Sequence, residues 1–335
     1  MYNSVRDVIL RGIMFLLAMF FFQISQLLDL PIKQVVEIIP ISVSKTLIAH
    51  NTEPDVLSLF DTETGENLGT VIRKGKGPGE AIQIDAMAID SKTGMLYVCA
   101  DYSKLMVFNK DFKLVSEKQL QTFANSISIS PNTIIVGLKS HLVDFKQESV
   151  PAAFVIDKKS LVISDTLLIN TECFEFKKVN QISLIQNIPI YTNVTVFNNT
   201  LFVSVSGFSL LFRYDIGKKS SKPKIIKLPE LNFNFKVVNK KGIGAGLQIP
   251  SVCISSTKIS ESEFLLSYGN IYQEMPYGYY KISIPKDQKD IVVTKKDLQD
   301  FPEKKSSYTI SAGITGLFIF DNFHSFANSV YFMKL

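Results

Sequence analysis

Tryptophan is absent, and histidine and cysteine supply only three residues each in a chain of 335. The cysteines, Cys99, Cys173 and Cys253, lie far apart, with no CxxC pair and no histidine at metal-ligand spacing. That excludes a zinc ribbon or a disulfide framework and reads the thiols as small apolar side chains, although in an exported chain one pair could still join and at least one thiol stays free. His50, His141 and His324 sit at or near the ends of separate apolar runs, without an HExxH, nucleophile-elbow or paired-histidine motif. On this basis no catalytic residue, metal site or cofactor is expected.

Arginine is nearly as rare. Arg6, Arg11, Arg73 and Arg213 are all of it, and the formal charge of +5 comes from dispersed lysines. Proteins that read nucleic acids depend on the bidentate guanidinium fork, so a nucleic-acid partner is not expected. Also lacking is any amphipathic helical stretch longer than two turns.

In its place are residue types that suit a pleated, half-buried surface: 46% of the chain is hydrophobic, with 25 Phe and 12 Tyr. Six short apolar cores punctuate the chain, at Leu47–His50, Leu96–Cys99, Ile134–Gly137, Leu201–Ser204, Phe264–Ser267 and Leu317–Phe320. They recur irregularly, at intervals averaging about fifty residues, the length that four strands and their turns occupy. Several are followed by a second strand that ends on an Asp, as at Asp61 and Asp157, whose carboxylate can accept the backbone N–H groups of the next turn. Asn109-Lys-Asp111 reads as the turn between the third and fourth strands of such a unit.

The N-terminus carries Arg6 and Arg11 ahead of the apolar run Gly12–Phe22, the form of an export signal and shorter than a membrane span needs. Residues 1–25 are read as a signal peptide or, if uncleaved, an N-terminal anchor, the chain's one expected link to a membrane. Residues 26–335 then form a single all-β domain, a six-bladed β-propeller. Its last blade, with strands at Leu317–Phe320 and Val330–Met333, is one strand short, and Ile32–Ile39 is expected to complete it and close the ring. A β-sandwich or two smaller β domains is the alternative.

Arg73-Lys-Gly-Lys-Gly-Pro-Gly-Glu80, followed by Ala88-Ile-Asp-Ser-Lys-Thr-Gly-Met-Leu-Tyr-Val98, resembles the signature linking blades in the TolB-like and NHL-like six-bladed propellers of Bacteroidota. Ala81 stands where those families usually carry an aromatic residue. The likeness is specific over residues 57–115 and implies an exported protein, and a fold more firmly than a function. The glycine-rich loop departs from both the Walker and the dinucleotide fingerprints, and Pro78 removes a donor, so it reads as a sharp inter-blade connection needing positive φ. Gly242-Ile-Gly-Ala-Gly246 reads as a loop for the same reasons.

The segment Asn270–Tyr280 holds four tyrosines and reads as a loop on the propeller rim. Tyrosine gives large amphipathic contact area at low entropic cost. Tyr272, Glu274, Tyr277 and Tyr279, with Arg73 and Lys76, are the candidate ligand-binding residues. A hairpin whose aromatics pack over the blade edge is the structural alternative. The expected function is a non-enzymatic binding or scaffolding propeller of the cell envelope, holding a protein or glycan partner on one loop face. The alternative is a polysaccharide or lactone hydrolase or lyase with its site at the channel mouth.

Overall fold

The structure is a computed structural model that describes residues 24–29, 35–50, 53–143, 148–173, 188–197, 199–206, 208–217, 222–229, 236–240, 244–248, 252–270, 275–285, 291–297, 308–312, 316–321 and 329–334. Strand β1 (Ile24–Asp29) is followed by β2 (Val35–Ser42), β3 (Lys45–His50), β4 (Asp55–Asp61) and β5 (Asn67–Arg73), which form blade one. Blade two is β6 (Ile84–Ile89), β7 (Leu96–Ala100), β8 (Lys104–Phe108) and β9 (Leu114–Gln119). Blade three is β10 (Phe123–Ile129), β11 (Thr133–Val143), β12 (Ser149–Asp157) and β13 (Ile163–Asn170). Blade four is β14 (Ile188–Phe197), β15 (Thr200–Val205), β16 (Leu210–Asp215) and β17 (Lys224–Lys227). A hairpin, β18 (Lys236–Lys240) with β19 (Gly244–Gln248), precedes blade five, which is β20 (Val252–Lys258), β21 (Glu263–Asn270), β22 (Met275–Ser283) and β23 (Val292–Asp297). Blade six is β24 (Tyr308–Ala312), β25 (Gly316–Asp321) and β26 (Ser329–Lys334), completed by β1.

The inner strands close a circle: β2 packs on β6, β6 on β10, β10 on β14, β14 on β20, β20 on β24, and β24 on β2. The six apolar cores named above are the second strands of the six blades. They read as near-continuous apolar runs because a neighbouring blade covers each of their two faces: all of Leu96–Ala100 and all of Thr200–Val205 are buried. Successive residues serve opposite seams. Ile134 and Val136 pack with Leu105 and Val107 of blade two, whereas Ile135 packs with Val203 and Phe212 of blade four. Blades four and five share a seam of Phe202, Leu211, Phe264 and Ile282. Each such fully buried side chain contributes about 1.5–3 kcal/mol. The outermost strands face solvent and lose this character, as in Leu114–Gln119, where no residue is buried.

The ring closes through an N-terminal strand, but not the expected one. Val35–Ser42, which contains most of the Ile32–Ile39 run, is the inner strand of blade one, and Ile24–Asp29 pairs antiparallel with β26. The last blade also contains β24, a strand that is not among the two runs expected for it. Blades three and four are additionally stitched together, because β11 runs on past its blade to pair Lys139 with Tyr191 and Val143 with Ile188.

Antiparallel blades divide the connections between two faces. First-to-second and third-to-fourth turns lie on a lower face. Second-to-third turns and inter-blade connections lie on an upper face. The long connections, including the one that carries β18 and β19, join strand ends on the upper face.

Candidate functional site

On the upper face of blade two, the connection 74–83 is shaped by its own glutamate. Gly77 N–H donates to Glu80 Oε2 at 2.9 Å, and Glu80 N–H donates to the Gly77 carbonyl at 3.1 Å. Gly75 N–H reaches the Ala81 carbonyl and Ala81 N–H the Arg73 carbonyl, both at 3.1 Å. A Cβ on Gly75 would overlap the Glu80 carboxylate. Positive φ, expected as the reason for the glycines, applies to Gly79 (+73°), whose N–H donates to Glu117 Oε2 at 3.1 Å, while Gly75 leaves room for a carboxylate. The glycine nest is therefore filled from within, by the Glu80 carboxylate. Gly75→Ala is expected to swing Glu80 out and break its bond to Gly77, costing about 1–2 kcal/mol. A thermal melt should show Tm lower by a few degrees, and an unchanged Tm would refute this account of the motif.

Beside this loop, the turn between β7 and β8 holds two consecutive non-glycine residues in the left-handed region, Asp101 (φ 50°) and Tyr102 (φ 67°). That conformation costs about 1–2 kcal/mol per residue and persists only where the surroundings over-determine it. Here they do. Asp101 Oδ1 accepts from Ile82 N–H at 2.7 Å and Gln83 N–H at 3.1 Å, while Asp101 N–H donates to the Gln83 carbonyl at 3.1 Å. Tyr102 N–H donates to Asp85 Oδ2 at 2.5 Å, and the Tyr102 and Ser103 carbonyls accept from Ala124 at 2.6 Å and Leu120 at 2.5 Å. The turn presents the Tyr102 ring outward, 40% exposed and edge-on to an equally exposed Phe123, with centroids 5.5 Å apart. Lys139, on the extended part of β11, places its ammonium 5.4 Å from the Tyr102 ring and 5.1 Å from that of Tyr191.

Between these groups lies an open cleft of about 410 Å³, bounded by Lys76, Ile82, Gln83, Tyr102, Lys104 and Gln119. Lys104 Nζ donates to the Glu80 carbonyl at 3.0 Å and lies 3.4 Å from Asp101 Oδ2. Burial pushes the Asp85 carboxyl up to about 6, against hydrogen bonds from Gln83 and Tyr102 and the charge of Lys139, which pull it down. An exposed aromatic face ringed by amides and balanced charges is equipped to bind and orient a ligand.

A family model described as "6-bladed beta-propeller" matches residues 29–205, more than half of the chain. The chain belongs to that family. The match spans blade one to the second strand of blade four and takes in the whole cleft. Among solved structures, U3-55K is 10% identical, with 93% of this chain and 98% of that one covered at a TM-score of 0.54. A Bacteroides fragilis protein described as exported is 13% identical, with 94% of both chains covered, also at 0.54. At these identities the likeness is one of fold. No curated protein sequence matches the chain.

Of the residues singled out from the sequence, Lys76 stands exposed on the cleft, and Arg73 is exposed at the end of β5. Tyr272 and Glu274 lie outside the described residues, as does the side chain of Tyr277. Tyr279 requires a correction: the chain from Met275 to Ser283 is strand, not rim loop, and the Tyr279 side chain is only 3% exposed. Its neighbour Tyr280 is buried in the seam with blade four and donates to the Pro229 carbonyl at 2.8 Å. Gly244-Ala-Gly246, read as loop, is part of β19.

His50 is buried with its Nε2 3.0 Å from Ser58 Oγ, and burial holds the imidazole down to about 4, hence neutral. His324 and the side chain of His141 lie outside the described residues. Cys99 and Cys173 are free thiols, and burial pushes both up. Asp61 Oδ1 accepts from Glu63 and Thr64 N–H at 2.9 and 2.8 Å, and Asp157 Oδ1 from Ser160 N–H at 2.8 Å, the turn role expected of them. Tyr102 was missed because no residue-type pattern announces a left-handed turn. The nearest signal is Asp101, of a type that tolerates that conformation.

Proposed function

We propose that this chain is an exported, non-enzymatic binding propeller of the cell envelope that holds a protein or glycan partner on its upper face. The observation that carries the reading is Tyr102, a large exposed ring held at a strained turn by hydrogen bonds from three neighbouring segments. The concentration of long connections on that face supports it, as does the Bacteroides fragilis protein described as exported. Kinship with TolB-like and NHL-like propellers belongs to the same proposal. β1 runs from the lower face to the upper one, so the residues before Ile24 join the ring on the lower side. An anchor retained there would leave the cleft facing away from the membrane.

Tyr102→Asn removes the ring while keeping a residue that accepts left-handed φ. Tagged wild type is expected to capture a partner stoichiometrically from envelope extract, and the variant to lose it by at least tenfold with Tm unchanged. Equal capture by both proteins would overturn the reading, and so would turnover of a glycan panel with no partner recovered.

A further inference from the structure

We infer that the ligand of the Tyr102 cleft is a neutral saccharide, one pyranose ring of which stacks on the Tyr102 ring from the side opposite the Lys139 ammonium. The inference rests on the reading of this face as the recognition surface and adds the chemistry of what it recognises. An open cleft with a half-exposed aromatic ring suits a flat apolar face with polar edges, which is what the axial C–H groups and equatorial hydroxyls of a pyranose present. The polar groups match in sign. The Gln83 amide nitrogen donates to Asp85 Oδ1 at 2.7 Å, and the Gln119 amide nitrogen donates to Ser103 Oγ. Each nitrogen uses one of its two N–H groups inside the protein, which fixes the amide's orientation, so each carboxamide offers its oxygen to hydroxyl protons and its second N–H, with Lys76, to hydroxyl oxygens.

Charge balance selects a neutral ligand over an acidic one. Three ammonium groups, Lys76, Lys104 and Lys139, stand against three carboxylates: Lys104 is faced by Asp101 at 3.4 Å and Glu117 at 4.0 Å, and Lys139 interacts with Asp85. A peptide partner added as an extra strand would need an open backbone edge. Along this cleft the backbone is engaged by the Lys74–Ala81 bridge and the bonds from Ile82 and Gln83 to Asp101.

Saturation-transfer NMR on the intact protein with cellohexaose, mannohexaose and xylohexaose, and with oligogalacturonate as the acidic counterpart, tests this. Transfer is expected to the C–H protons of one ring face of a neutral oligosaccharide. Affinity should fall at least tenfold in Tyr102→Asn and severalfold in Gln119→Leu, and should hold in Val162→Ala, which alters an exposed residue on the lower face. Stronger, salt-sensitive binding of oligogalacturonate would overturn the neutral assignment. Sugar binding indifferent to Tyr102→Asn would overturn the site. If no sugar binds while capture of an envelope partner still depends on Tyr102, the saccharide inference falls and the recognition face stands. If neither is seen, both fall.

Discussion

Deleting Ile24–Asp29 is expected to abolish the cooperative fold, whereas removing residues 1–22 should leave the melting temperature unchanged. The six-residue strand β1 pairs with β26 from Ile24 opposite Met333 to Asp29 opposite Ser329, and it is the fourth strand of the last blade. Without it, the ladder groups of β26 on that side lose their partners, each worth about 0.5–1.5 kcal/mol net. A combined loss on the order of 5 kcal/mol matches the lower end of total stability for a folded domain, about 5–15 kcal/mol. The strand left exposed, Ser329-Val-Tyr-Phe-Met-Lys334, is apolar and aromatic, so the unclosed ring should also self-associate. Calorimetry and light scattering on the two deletions check this. A variant lacking residues 24–29 that stays monodisperse and melts within two or three degrees of the intact protein would remove the closing role assigned to β1.

The six-blade count was legible because the second strand of every blade is covered on both sides and so appears as an uninterrupted apolar run. The closing strand was harder to place for the opposite reason. Inner strands border the central channel and outer strands border solvent, and both mix polar with apolar residues. Of Ile24-Ser-Gln-Leu-Leu-Asp29, the first two residues therefore passed for the tail of the export segment and the other four for the lead-in to a later strand. The more apolar stretch around Val35–Ser42 looked like a spare strand when it was the start of blade one. In Tyr308-Thr-Ile-Ser-Ala312 the alternation was too short to register at all.

The candidate site was legible only at its edge. The Gly75–Glu80 motif marked the right connection and yielded Lys76. Its glutamate filling its own glycine nest, and the neighbouring turn at Asp101 and Tyr102, depend on contacts with Asp85, Gln83 and Ala124 that no local pattern encodes. The tyrosines of Met275–Ser283 misled because tyrosine content reports amphipathic surface without saying which side of a strand it is on. Tyr279 and Tyr280 fall inside the blade, and a Cβ on Gly278 between them and Tyr268 would press on the Lys296 carbonyl.

Glu37→Gln is expected to raise the melting temperature at pH 9 by several degrees and to leave it nearly unchanged at pH 5. Glu37 is on the inner strand β2, and its Oε2 accepts the Met87 N–H of the next blade at 2.6 Å. Burial against that seam pushes its carboxyl up to about 8, with the Met87 bond pulling the other way. An unfolded Glu releases its proton near its ordinary value of 4.5. Between that pH and 8, the native state therefore holds a proton that the unfolded chain has lost, and stability falls as pH rises. The full shift corresponds to at most about 5 kcal/mol, and because the residue still meets some solvent we expect about 2–3 kcal/mol. Glutamine keeps the acceptor for Met87 and carries no charge, so the variant should lose this slope. Of the other described groups that titrate lower, two carry large shifts. Asp85, raised to about 6, gives a slope of the same sign that ends there, and His50, lowered to about 4, gives the opposite slope below 6.5, its ordinary value. From about pH 7 to 8 the slope among the described groups is thus Glu37's own, and parallel melting profiles for wild type and Glu37→Gln across that interval would show that the carboxyl is ionised at the seam without cost.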